Sequence, residues 1–189
     1  MSTLKVSNIQ NGSATNVAMV LDTAGTVKAY STISVGNVTP SASGAGITFP
    51  ATASASSDAN TLDDYEEGTF DVTLTPASGS ITLNSGLNSL AYTRVGRLVT
   101  CTGNIVVSSV STPTGSITLG GLPFSVAGLS ENSERFAGLA ALTAWSSGSG
   151  SGYLLVDSGT SGSLQSSVNG TPVCQAGAEV YFGFSYFAA

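Results

Sequence analysis

The sequence predicts an all-β protein: an antiparallel, jelly-roll-like β-sandwich head over residues 61–189, preceded by an extended N-terminal arm or shaft over residues 1–60. Three observations carry that reading. Apolar residues recur at every second position in several separate runs, while the 3.6-residue spacing of an amphipathic helix is nearly absent. Gly, Ser, Thr and Val dominate, and all four are mediocre or poor helix formers. The aromatics are unevenly spread: residues 1–60 hold only Tyr30 and Phe49, and the rest lie beyond.

The arm comes first in the chain. Short apolar clusters such as Val17 to Leu21 alternate there with Gly- and Ser-rich spacers. Such a segment buries too little apolar area by itself to offset a backbone entropy of about 1–2 kcal/mol per residue. It is therefore either disordered or ordered by contact with other chains. An acidic stretch follows: residues 58–71 carry six of the eleven acids.

Strand patterns then succeed one another. In "GTFDVTLTP", Phe70, Val72 and Leu74 share one face and Thr69, Asp71, Thr73 and Thr75 the other, which predicts a half-buried strand ended by Pro76. "YTRVGRLVTCTGNIVVSS" is the longest strand-like run, with Val95, Val99, Cys101, Ile105 and Val107 in one parity. Gly103 inside it predicts a bulge or bend. "GSITLGGLPF" places Ile117 and Leu119 on one face and a turn at Gly120–Gly121. "GYLLVDSG" and "EVYFGFSYFAA" supply two later strands, the second with Val180, Phe182, Phe184 and Tyr186 in one parity. Residues 130–142 read equally as a helical turn or a strand. The echo between residues 75–83 and 112–119, both ending in GSITL, is read as shared turn chemistry rather than a repeat fold.

Composition narrows the function classes. Charged residues make up 8% of the 189 positions, and the net charge is −6 with five basic residues. Nucleic acid is excluded as a partner, because phosphate neutralisation needs clustered Lys and Arg. No apolar run reaches the roughly 20 residues of a spanning helix, and no secretory signal opens the sequence. There is no histidine, which removes every Ser-His, Cys-His and His-metal scheme. The expectation is a non-enzymatic protein with no cofactor. Two cysteines do not make a disulfide framework: Cys101 reads as a buried free thiol, and a bridge to Cys174 stays open.

Two sets of candidate site residues remain. Asp63, Asp64, Glu66 and Glu67 offer oxygen ligands of the kind calcium takes, although the EF-hand pattern is missing. The preferred reading is a solvated acidic linker that discourages wrong strand pairing and pairs with Arg94, Arg97 or Arg135. Trp145 and Tyr153, flanking the "SSGSGSG" loop over 146–152, are candidate glycan contacts if the loop exposes them. Trp145 is otherwise expected in the core.

The block "GITFPATASASSDANTLDDYEEGTF", followed by "YTRVGRLVTCTGNIVV" and "GLPF", resembles a module of bacteriophage virion structural proteins of the tail-fibre-like type. The matching residues are Asp63 to Thr69, with Phe70 where the family carries Trp, Tyr92 to Arg97, and Gly121 to Phe124. The opening "MSTLKVSNIQNGSATNVAMVLDTAGTVKA" is similar to the start of such proteins, so the resemblance covers roughly residues 1–125. It implies a homotrimer on the virion surface, attached to other virion proteins through residues 1–60, with an exposed head. Two further expectations stand beside the fibre: a capsid decoration (cement) protein, and an adhesin head that binds host glycan.

Overall fold

The structure is a computed structural model that describes residues 8–9, 19–21, 27–29, 33–35, 39, 46–52, 61–128, 136–145, 148–158, 161–166 and 174–189. Two compact units make up the chain, Met1–Asp64 and Tyr65–Ala189. The division falls four residues beyond the boundary expected from the sequence, because the acidic stretch itself contributes a strand to the second unit.

In the first unit, β1 (Asn8–Ile9), β2 (Met19–Leu21) and β3 (Val27–Ala29) pair antiparallel. β4 (Ile33–Ser34) and β5 (Ile47–Thr48) form a parallel pair, held by Ile33 N–H donating to Gly46 O at 2.8 Å and Val35 N–H to Thr48 O at 3.0 Å. Ile33 and Ile47 remain exposed, and no residue of this unit joins the hydrophobic core among the described residues.

The second unit holds eight strands: β6 (Tyr65–Asp71), β7 (Thr73–Leu83), β8 (Ser89–Val95), β9 (Leu98–Gly120), β10 (Phe136–Trp145), β11 (Gly148–Ser158), β12 (Ser161–Ser166) and β13 (Glu179–Phe187). All of their pairings are antiparallel, and the described residues contain no helix, so the all-β antiparallel head is what forms. Hydrogen bonds join the eight strands into one network, because β9 is long enough to serve two ladders in succession. Its first half, Leu98–Val106, pairs with β13, and the first five of those residues also pair with β8. Its second half pairs with β7, and Ile117–Gly120 also pair with β12. The path β9–β13–β10–β11–β12 thus returns to β9 and closes.

The period-2 alternation works as expected along β13, where Val180, Phe182, Phe184 and Tyr186 are all buried and the intervening residues are not. Ile117 and Leu119 on β9 are buried as well, with Pro76 and Leu74 opposite them across the β7 ladder. Each fully buried Val, Leu, Ile or Phe is worth about 1.5–3 kcal/mol relative to exposure. Phe182–Phe184 and Phe184–Tyr186 ring contacts at 6.3 and 6.4 Å add aromatic packing along the same face.

Three local expectations need correction, and one reading left open is resolved. The run from Tyr92 to Ser109 is not one strand. It folds back at Gly96–Arg97, with Val95 and Leu98 as cross-strand partners, and the positive φ of Gly96 (56°) suits a two-residue hairpin turn. Val95 consequently faces solvent instead of sharing the buried face of Val99 and Cys101. Pro76 does not end its strand. It lies inside β7, whose partner among the described residues is β9, and a register shift follows it; an edge strand with bulges tolerates a missing N–H donor. Gly103 keeps the β13 register unbroken, so it marks no bulge there. Its φ of 143° and the close approach of Leu90 mark where pairing with β8 stops. Residues 136–142 are strand, resolving the ambiguity in that part of the segment; residues 130–135 lie outside the described residues.

The GSITL echo falls on the paired strands β7 and β9. Its two glycines, Gly79 and Gly115, share a φ of 81° and 80°, so the repeated letters encode the same local backbone.

Candidate functional site

The residues that the sequence marks most strongly converge in the second unit, where β6, the β8–β9 hairpin and the Gly121–Phe124 segment meet. The convergence follows from register. Gly68 is the cross-strand partner of Tyr92 and Glu66 that of Arg94. A Cβ on Gly68 would sit 2.8 Å from the Tyr92 ring, so glycine is what lets that ring lie across β6. Laid there, Tyr92 reaches Glu66 and donates its hydroxyl hydrogen to the carboxylate. That hydrogen bond, with burial and the nearby negative charge, pushes the Tyr92 phenol up to about 12.

Aromatic contacts extend the cluster inward. Tyr92 lies 6.1 Å from Phe70 and meets Phe124 edge-on at 5.4 Å. The guanidinium of Arg94 lies over Phe124, 4.7 Å from the ring centre, and its Nε–H donates to Gly96 O at 2.8 Å. Arg94 is buried; a cation over a ring is worth about 0.5–2 kcal/mol depending on desolvation. The Phe124 backbone is fixed in turn, since Tyr186 Oη donates to Phe124 O at 3.1 Å and accepts from Phe124 N–H at 3.3 Å. Burial raises the Tyr186 phenol above its usual range. Gly121 opens this segment at φ 92°, and a Cβ there would lie 2.4 Å from Asp71 O. A second cation repeats the motif: Arg97 lies over Phe187 at 4.7 Å, and Phe187 packs edge-on against Phe136.

The four candidate calcium ligands do not converge. Adjacent positions on β6 point to opposite faces, so Glu66 turns toward Tyr92 while Glu67 accepts from the Tyr65 hydroxyl on the other side. Asp71 accepts from Ser89. Asp64 is buried, and Asp63 is half-buried, so the picture of a uniformly solvated acidic linker is also corrected: Glu66, Glu67 and Asp71 belong to a strand. Among the described residues, no group of three or more metal-ligating side chains forms. Arg135 lies outside the described residues.

Trp145 and Tyr153 are not in a loop. Trp145 ends β10 opposite Gly148, and Tyr153 sits within β11, paired with Leu139 and Gln165. Residues 148–152 of the expected loop are strand, and the Trp145 and Tyr153 side chains lie outside the described residues. Cys101 and Cys174 are separate free thiols, both buried. Desolvation pushes Cys101 up to about 12 and Cys174 to about 11, so neither is a nucleophile at neutral pH.

Sequence reasoning named Arg94, Arg97 and the string Gly121–Phe124 but missed their contacts. Phe124 and Phe187 are the rings beneath the two guanidiniums, contacts that lie beside the pairing with the acids expected from the sequence. A cluster of tyrosine, phenylalanine and arginine locked by backbone hydrogen bonds holds three chain segments in register.

Comparison with known proteins gives one fold match. The crystal structure of Dettilon tailspike protein superposes with a TM-score of 0.51 at 18% identity. The match covers 65% of this chain and 23% of the tailspike chain, so this chain spans about a quarter of that protein's length. No family model matches the chain, and no curated protein does.

Proposed function

We propose that this is a non-enzymatic structural protein of a bacteriophage particle, a short homotrimeric tail or virion fibre held to the particle by residues 1–60 with its β head exposed. The fold likeness to a segment of a phage tailspike is the observation that carries the reading. Three further features agree with it. The resemblance of Asp63–Thr69, Tyr92–Arg97 and Gly121–Phe124 to a virion module falls on residues that the fold draws into one clasp. The chain lacks histidine, and its described strand carboxylates are engaged by neighbouring hydroxyls. The first unit's described strands are two or three residues long with exposed isoleucines, as suits a segment completed by other chains.

Labelling purified particles with an antibody against the head tests this. Label on the tail supports the fibre, label on the capsid lattice replaces it with the decoration protein, and particles without label remove the virion role. Protein lacking residues 1–60 is expected to stay out of particles; its incorporation would show that the arm is not the anchor.

A further inference from the structure

The outer face of the head carries an apolar strip at one end of the sheet. Tyr65 on β6 is the direct cross-strand partner of Val95 on β8, Val95 of Leu98 on β9, and Leu98 of Phe187 on β13. Direct partners share a face, so these four side chains form one row about 14 Å wide, from three strand spacings of about 4.8 Å. Tyr65, Val95 and Leu98 are 46%, 44% and 42% exposed, side by side on a chain whose other exposed positions in this sheet are mainly Thr, Ser, Ala and Gly. Contiguous exposed apolar surface of this kind marks a contact site more often than an isolated exposed residue does.

The two ends of the row carry opposite charge. At the β6 end, Glu67 accepts from the Tyr65 hydroxyl and so holds its carboxylate beside the strip. At the β13 end, the Arg97 guanidinium lies over the Phe187 ring. A strip that is acidic at one end and cationic at the other is complementary to itself. Around a three-fold axis, the Arg97 end of each strip meets the Glu67 end of the next, and the apolar centres face one another. An anionic lipid surface would instead call for clustered cations, and the whole chain has five.

We infer that the Tyr65–Val95–Leu98 strip is a contact surface between copies of this chain, with Glu67 of one copy facing Arg97 of the next. The inference rests on the oligomeric reading above and assigns it a surface. Rim charges set the register of such a contact, and the desolvated apolar centre supplies its affinity.

Sedimentation of the full-length protein over a wide concentration range tests it. The native chain associates. Leu98→Glu, a change at an exposed position that leaves the melting temperature unaltered, weakens association by about tenfold or more. Glu67→Arg and Arg97→Glu each weaken it alone, because each sets like charges together. The double variant Glu67→Arg/Arg97→Glu recovers association, because every facing pair is again opposite in sign. An internal structural role for either residue gives no such recovery. A monomeric native chain, association indifferent to Leu98→Glu, or a double variant that stays dissociated each overturns the surface. Incorporation into particles is a separate readout: a protein that enters particles yet ignores Leu98→Glu loses this surface and keeps its virion role.

Discussion

The two units use similar letters to different ends. Both are rich in Gly, Ser and Thr, yet the first has strands of two or three residues and the second has strands of six to twenty-three. Every described core residue, from Val72 to Ala188, belongs to the second unit. What separates them is large apolar side chains at every second position over five or more residues. Val180, Phe182, Phe184 and Tyr186 can form a buried row; Ile33 and Ile47, each on a two-residue strand, cannot. Low charge and high hydroxyl content thus say little about order, and the continuity of alternation says much.

Substitution at matched isoleucines breaks or sharpens this contrast most strongly. Ile105→Ala, in the core, is expected to cost about 2–5 kcal/mol, and Ile47→Ala about 0.5 kcal/mol or less in the isolated chain. Denaturant unfolding measures both, and equal costs would mean that the first unit has a core of its own. Next comes Gly68→Ala, which forces a methyl into the Tyr92 ring; displacing that ring costs about 1–3 kcal/mol and shifts the near-ultraviolet signal of the tyrosines.

Alkaline pH gives the third effect. The fold raises Cys101 from 9.0 to about 12, Cys174 from 9.0 to about 11, and Tyr92 from 10.0 to about 12. In each case the folded state holds its proton where the unfolded state has lost it. Their contribution is therefore complete below about pH 9 and is lost as pH rises from 9 to 12. The melting temperature should fall across that window, less steeply in Cys101→Ala; a flat profile would contradict the burial of the thiols. The smallest effect is at Thr112, a β-branched residue at φ 39° within β9. Thr112→Gly relieves that conformation and is expected to gain up to about 1 kcal/mol, read as a rise in melting temperature.

Much of the head was legible because its strands keep strict alternation, as Val180–Tyr186 does along β13; the Phe70–Leu74 alternation instead runs across the break at Val72 between β6 and β7. The hairpin at Gly96–Arg97 was not, because Val95, Val99 and Cys101 share a parity that continues through the turn even though the fold reverses it. A Gly followed by one polar residue between two β-rich runs was the available signal. The strand over 148–152 was hidden by its composition: Gly and Ser have low β-propensity, and pairing with β10, shared by β12 at Gly152, overrides it. The clasp was visible only as three separate strings. That Arg94 covers Phe124 depends on Gly121 turning the chain back beside β6, a long-range outcome that local patterns do not encode.

No described residue of the leading unit belongs to the core of the head, so the head is expected to fold without it. Thermal unfolding of the chain without residues 1–60, compared with the full chain under dilute, dissociating conditions, tests it most directly. Coincident midpoints and unchanged cooperativity are expected. A midpoint many degrees lower, or loss of a cooperative transition, would contradict it.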